Sequence, residues 1–210
     1  MRRLPPAPFA YPIVDGGRLR GRDVAAVVDT LARAGAQLIQ LRAKGLSDRA
    51  LVAMARSALA AARASGARLV VNDRADVARL VGADGLHVGQ DDLVPAEARA
   101  IVGADALLGV STHGLAQLEA AAASTADYVA IGPVFPTSSK PNPDPVVGTE
   151  MVRRARAAVS QPLVAIGGIT RENARAVIEA GADGVAVISD LLDAPDLGRA
   201  FAELRAAIGG

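Results

Sequence analysis

The apolar positions of this chain alternate between short unbroken runs and longer, spaced patterns. Eight short runs stand out: Ala10–Val14, Gln37–Leu41, Arg68–Val71, Gly85–Val88, Leu107–Val110, Tyr128–Ile131, Leu163–Ile166 and Gly184–Ile188. Each is apolar through most of its length, which predicts strands buried on both faces of a parallel sheet. Between them lie stretches rich in Ala, Leu, Arg and Glu, such as Ser47–Ala64 and Arg171–Ala180, which predict helices. Ser47 and Thr170 stand where a side-chain oxygen caps a first turn. The joints recur as well. Ala34-Gly35-Ala36, Gly82-Ala83-Asp84-Gly85 and Gly181-Ala182-Asp183-Gly184 each predict a helix closed by glycine, a turn, then a strand.

Spread over eight units, 210 residues give about 26 residues each, close to one strand-plus-helix step. The pattern therefore predicts a compact, single-domain (β/α)8 barrel of the TIM type, with residues 1–9 as a short tail. A doubly wound open sheet is the structural rival. No GxGxxG follows the first run, which counts against the dinucleotide-binding version of that rival.

Composition narrows the function. Lys plus Arg is 23 and Asp plus Glu is 22, a formal net charge of +1. That balance, with 2% aromatics and no Trp, argues against a broad nucleic-acid-binding surface. The absence of Cys removes disulfides, thiolate nucleophiles and Cys-ligated metals, and makes a cytoplasmic protein the simplest expectation. No apolar run approaches the roughly 18 residues of a membrane span, and Pro5, Pro6 and Pro8 interrupt the start of the chain. No membrane role is expected. The sequence leaves monomer and homodimer both open.

In a (β/α)8 barrel, catalytic groups lie at the C-terminal ends of the strands. Gln40, Arg42 and Lys44 alternate after the second run, so they share one side of an extended segment. An Arg and a Lys there suit a phosphorylated ligand. Asn72-Asp73-Arg74 follows the third run and Gly89-Gln90-Asp91-Asp92 the fourth. Facing the cationic segment, their carboxylates suit Mg²⁺, which takes one or two carboxylates plus phosphates and water. Asp73 or Asp92 as a helix cap is the plainer alternative. His87 reads as a core or supporting residue rather than a metal ligand. Ser111 and His113 follow the fifth run, as anion contacts, a weak nucleophile pair, or a simple cap.

The longest non-helical stretch is Gly132–Gly148, which holds five of the 12 Pro and the run Thr137-Ser138-Ser139-Lys140. It reads as a functional lid or a surface loop. Gly167-Gly168 and Ser189-Asp190 close the last two strands, where this fold often builds a phosphate site. Two anion sites are thus expected: one around Arg42, Lys44, Asp73, Asp92 and Lys140, the other around Gly168 and Ser189.

These segments resemble the thiamine-phosphate synthase family. The resemblance is carried by Gln40–Lys44, Asn72–Arg74, Gly85–Asp92, Gly109–His113, Gly132–Lys140 and Ala165–Ile169, in order along the chain. It implies an enzyme that joins hydroxymethylpyrimidine diphosphate to a thiazole phosphate, giving thiamine phosphate and pyrophosphate. It also implies Mg²⁺, held by Asp73 and Asp92. Gln40, Leu41, Arg42, Ala43, Lys44, Asn72, Ser111 and Lys140 would bind the pyrimidine diphosphate. Arg42, Lys44, Ser111 and Lys140 would carry the catalysis. Thr137, Ser138, Ser139, Gly168, Ile188 and Ser189 would bind the thiazole phosphate. The implied reaction is a dissociative displacement through a pyrimidine cation, with no protein nucleophile. Ser139 departs from the family pattern, where Thr is usual. A thiazole tautomerase or a regulatory relative on the same barrel is the nearest rival. Such relatives lack the Gly-Gln-x-Asp and Thr-x-x-Lys segments, both present here. A Schiff-base aldolase would need a buried strand Lys, but the only lysines, 44 and 140, fall in predicted loops.

Overall fold

The computed structural model describes residues 4–137, 139 and 144–209. Eight parallel strands close into a barrel in chain order, and the first pairs with both the second and the last. They are β1 (Phe9–Asp15), β2 (Leu38–Arg42), β3 (Arg68–Asn72), β4 (Gly85–Val88), β5 (Leu107–Thr112), β6 (Tyr128–Ile131), β7 (Leu163–Ile166) and β8 (Gly184–Val187). The helices between them are α1 (Val24–Arg33), α2 (Asp48–Ala64), α3 (Ala75–Val81), α4 (Pro95–Val102), α5 (Leu115–Ala122), α6 (Gly148–Ala158) and α7 (Ala174–Glu179). A short α8 (Ser189–Leu192) and then α9 (Leu197–Ala207) follow the last strand. Among the described residues, no helix is long and apolar enough to cross a membrane.

Strand alternation sorts the apolar side chains into two cores. Tyr11, Ile13, Leu38, Val70, Leu107, Tyr128 and Val164 fill the barrel interior. Leu41, Val71, Leu86, Leu108, Val129 and Val185 point outward and pack under the helices. This double burial explains the unbroken apolar runs.

Some boundaries differ from expectation. β1 takes in Phe9, so the tail is shorter by one residue. β2, β3 and β5 run on through Arg42, Asn72 and Ser111. Polar side chains are tolerated there because the strand ends open into a cleft. Ser47 caps α2 as predicted, its hydroxyl accepting from Ala50 N. Thr170 does not cap α7, which starts at Ala174. The Asn173 amide instead accepts from Thr170 N and donates to the Gly168 carbonyl, so it holds a turn in place of a first helical turn.

The N-terminal rim carries a repeated clasp. Asp84, Asp127 and Asp183 each precede a strand. Each carboxylate accepts the backbone N–H at the start of the strand before: Leu69 at 2.9 Å, Leu108 at 2.8 Å and Leu163 at 2.8 Å. Each Asp also donates its own N–H back to the same residue's carbonyl. Arg99 and Arg156 add ion pairs to Asp127 and Asp183 at 2.6 and 2.8 Å. The two Gly-Ala-Asp joints and the Thr125-Ala126-Asp127 joint therefore lock alternate strands, β3, β7 and β5, to their neighbours.

Candidate active site

The opposite rim opens into one cleft of about 810 Å³, its mouth included. Gln40, Arg42, Asn72 and Ser111 line it from the ends of β2, β3 and β5, and Thr137 and Ser139 from the segment after β6. Gly168, Ile188 and Ser189 line the far wall. Leu41 and Ala43 alternate away from it; Leu41 sits in the outer core and Ala43 packs against that core. Their side chains are placed outside the cleft, which leaves them only backbone contacts to offer. Ser138 and Lys140 lie outside the described residues.

Arg42 lines one wall, and the predicted site residues Lys44, Asp73 and Asp92 lie at the strand ends beside it, outside the cleft lining itself. Arg42 is held by Asp15, its partner in strand register, which also accepts from Gly17 N at 2.9 Å. This leaves the guanidinium oriented without screening it entirely. Lys44 pairs with Asp73 at 3.0 Å. Asp73 adopts a left-handed backbone, φ +62°, which turns the chain as β3 ends. Asp92 accepts from Gly89 N at 2.7 Å and meets the Asp73 carboxyl directly. Burial first, and Asp73 second, push the Asp92 carboxyl above its ordinary pKa, with Lys44 opposing. Neither Asp caps a helix; Arg74 and Val94 occupy the caps of α3 and α4. Two converging carboxylates supply hard oxygen donors, and that set fits Mg²⁺, whose remaining ligands are usually phosphate and water. No group of three or more acidic, His or Cys side chains suited to a metal occurs among the described residues.

On the far wall, Gly167 and Gly168 take positive φ angles of +95° and +64°. A methyl on Gly168 would lie 2.8 Å from the Phe135 carbonyl carbon and collide with the Pro136 oxygen. Glycine is required because the backbone after β6 presses against it. Ser189 stands at the start of α8 beside this turn.

The floor is a line of hydrogen-bonded side chains. Ser111 Oγ meets His87 Nε2 at 2.8 Å, and His87 Nδ1 meets Tyr128 Oη at 3.0 Å. Tyr128 Oη meets Tyr11 Oη at 3.0 Å, and Gln40 Nε2 donates to Tyr11 Oη at 3.1 Å. Burial pushes the Tyr11 phenol up to about 12 and raises that of Tyr128 as well, so both stay protonated. His87 is a buried strand residue, the core position the sequence suggested, and its ring also borders the cleft. The Ser111–His113 pair does not form: His113 Nδ1 bonds to the Gly132 carbonyl at 2.6 Å, and Nε2 pairs with Asp144 at 3.3 Å.

Sequence reading missed Asp15, Tyr11 and Tyr128. Asp15 had a signal, since it closes the first strand as the other polar residues close theirs. Both tyrosines of the chain sit inside apolar runs, and a hydroxyl in an all-apolar strand needs a partner.

A closed parallel barrel, with Arg42 on one wall of a cleft, a Lys44–Asp73–Asp92 cluster at the strand ends beside it and a glycine turn on the other wall, defines a phosphate-handling barrel enzyme. Comparison with known proteins narrows that class. A sequence model described as thiamine monophosphate synthase matches residues 10–191, and the chain belongs to that family. A thiamine-phosphate synthase of Koribacter versatilis is 53% identical over 165 residues, covering 79% of this chain and 78% of the relative. One from Chloroflexus aurantiacus is 43% identical over 198 residues, covering 94% and 91%. The structure of a thiamine phosphate pyrophosphorylase from Pyrococcus furiosus superposes with a TM-score of 0.86 at 34% identity, covering 95% of each chain.

Proposed function

We propose that this enzyme joins hydroxymethylpyrimidine diphosphate to a thiazole phosphate and releases thiamine phosphate and pyrophosphate, with CO2 lost as well where the thiazole carries a 2-carboxylate. It is a transferase: the methylene C–O bond to the diphosphate breaks, and a C–N bond to the thiazole nitrogen forms. The carrying observation is that a single cleft is lined by the Arg42 wall and the Gly168–Ser189 wall, with the Lys44–Asp73–Asp92 cluster at the strand ends of the Arg42 wall. A reaction between two phosphorylated molecules needs both anions fixed at once.

Departure of the diphosphate is the step the Arg42 wall serves. Arg42, held by Asp15, and Lys44 bind it and oppose its growing charge. Asp73 and Asp92 would hold Mg²⁺, which when bound supplies further positive charge against the diphosphate oxygens. Lys140 is assigned to the same group through the family resemblance. Gln40, Asn72 and Ser111 position the pyrimidine at the floor. Thr137 and Ser139 line the path to the thiazole, Ser138 is assigned to the same group through the family resemblance, and Gly168, Ile188 and Ser189 receive its phosphate. Holding the thiazole nitrogen against the reacting carbon replaces a bimolecular encounter with a bound geometry. No covalent enzyme intermediate is required. The absence of Cys accords with a cytoplasmic setting.

The deciding assay is product formation from the two substrates with Mg²⁺ or with EDTA. Mg²⁺-dependent thiamine phosphate and stoichiometric pyrophosphate are expected. Folded protein that yields neither would refute the synthase reading. A finer check separates the walls. Ser189→Ala is expected to raise KM for the thiazole phosphate about tenfold by removing one hydrogen bond to an anion. KM for the pyrimidine diphosphate should stay within about twofold, and equal increases for both substrates would overturn the two-wall assignment.

A further inference from the structure

The five side chains along the floor come from five different strands, yet they form one unbroken line. Gln40 and Ser111, at its ends, line the cleft, and His87, next to Ser111, borders it as well. Tyr11 and Tyr128, in its middle, lie in the barrel interior beneath it and are at most 1% exposed. The architecture makes room for the line. A methyl on Gly109 would strike the Tyr128 ring and lie 2.5 Å or less from both its hydroxyl and His87 Nδ1.

Each phenol has a single proton, and a neutral imidazole has one N–H. The line therefore has a direction, and the direction is all-or-none. Gln40 Nε2 donates to Tyr11 Oη. The Tyr11 proton then goes to Tyr128, and the Tyr128 proton goes to His87 Nδ1. His87 carries its own proton on Nε2 and donates to Ser111 Oγ. The far ends follow: Gln40 Oε1 is left to accept and the Ser111 proton is left to be donated, both toward the cleft. Rotating the Gln40 amide reverses every bond, so that Gln40 presents a donor and Ser111 an acceptor. A mixed state would leave a phenol proton of Tyr11 or Tyr128 without an acceptor inside the barrel, which is costly at two side chains at most 1% exposed.

We propose that Tyr11, Tyr128 and His87 are positioning residues that couple Gln40 to Ser111, so that the floor reads a ring's donor and acceptor as a pair and selects an aminopyrimidine over its oxo counterpart. The substrate half of this proposal rests on the synthase reading. An amino group beside an unprotonated ring nitrogen donates to Gln40 Oε1 and accepts from Ser111. An oxo group beside a ring N–H presents the reverse pattern and mismatches both ends at once. Cutting the line in the middle frees each end to turn independently, so the oxo ring is rejected less.

The relay itself can be tested without turnover. The chain has 2 His, so ¹⁵N-histidine labelling gives two imidazoles, and His113→Gln assigns them. In native protein His87 is expected to be protonated on Nε2 with Nδ1 an acceptor, and in Tyr128→Phe that preference should be lost. A mixture of both tautomers in native protein, or a preference unmoved by Tyr128→Phe, would overturn the relay, and the Nδ1–H tautomer would reverse its direction and overturn the preference for the amino ring.

The selectivity half is read from kcat/KM for the 4-amino and 4-oxo pyrimidine diphosphates, with Mg²⁺ and saturating thiazole phosphate. The expected result is a fall in the amino-to-oxo preference of about tenfold or more in both Tyr128→Phe and Tyr11→Phe, with KM for the thiazole phosphate unchanged. The intrinsic reactivities of the two rings cancel in the comparison between variants. Equal loss on both rings would mean a merely structural role and would refute the selectivity claim. Native protein that makes no thiamine phosphate would sink the functional reading and the selectivity with it, while the tautomer still decides the relay.

Discussion

Asp92→Asn is expected to lower kcat by about 10²-fold or more in saturating Mg²⁺, the usual scale for losing a preorganised electrostatic contact. KM for the thiazole phosphate should change little, because that substrate is assigned to the opposite wall. Asp92 lies against Asp73, with Lys44 on the other side of the pair. Its raised pKa means that the charged form is costly in the absence of a cation. A bound divalent ion would remove that cost, which is the role assigned here. Asn keeps the shape and can still accept from Gly89 N, but it brings no charge. Without Mg²⁺, the melting temperature of the variant should therefore match or exceed that of the native protein. With Mg²⁺, the native protein should gain stability and the variant should gain less. Native-like turnover by the variant would remove Asp92 from the metal site.

The second large effect lies at the other end of the barrel. Asp127→Ala is expected to cost about 3 kcal/mol, the lower end of the range for breaking a largely buried ion pair. For a chain of this size that is roughly a 6–12 °C fall in melting temperature. The change strips the Leu108 N–H of its side-chain acceptor and Arg99 of its carboxylate. Arg99 keeps bonds to the Gly103, Ala106 and Thr125 carbonyls, which limits the loss. Thermal or denaturant unfolding measures it. The remaining folded protein should turn over normally, since the clasp is remote from the cleft. An unchanged melting temperature would show that the clasp is not a stabilising element.

Ser47 and Thr170 mark how far local signals reach. Both are hydroxyl residues ahead of a helical pattern, yet only Ser47 caps. At Thr170 the neighbouring glycine turn at 167–168 and the Asn173 amide build a different hydrogen-bonded turn. The outcome depends on the segment after β6, Pro133 to Pro136, which presses against that turn and which no local pattern contains. Arg42 is a similar case. The side of the chain it shares with Gln40 was legible, though it closes β2 rather than following it, and Asp15, which orients it, sits on a different strand and meets it through register.

The sequence by itself determined the eight strands, the barrel, the rim onto which the cleft opens and the polar segments proposed to bind the two anions. Periodicity reports which face a side chain takes, glycine reports where the backbone must turn, and both are local properties. Only the tertiary structure decided which side chains meet. The Asp73–Asp92 contact, the Asp15–Arg42 pair, the aspartate clasps and the line from Gln40 to Ser111 each join different strands or helices. Their partners are set by barrel closure and by strand register, and a one-residue slip would turn each strand's side chains to the other face.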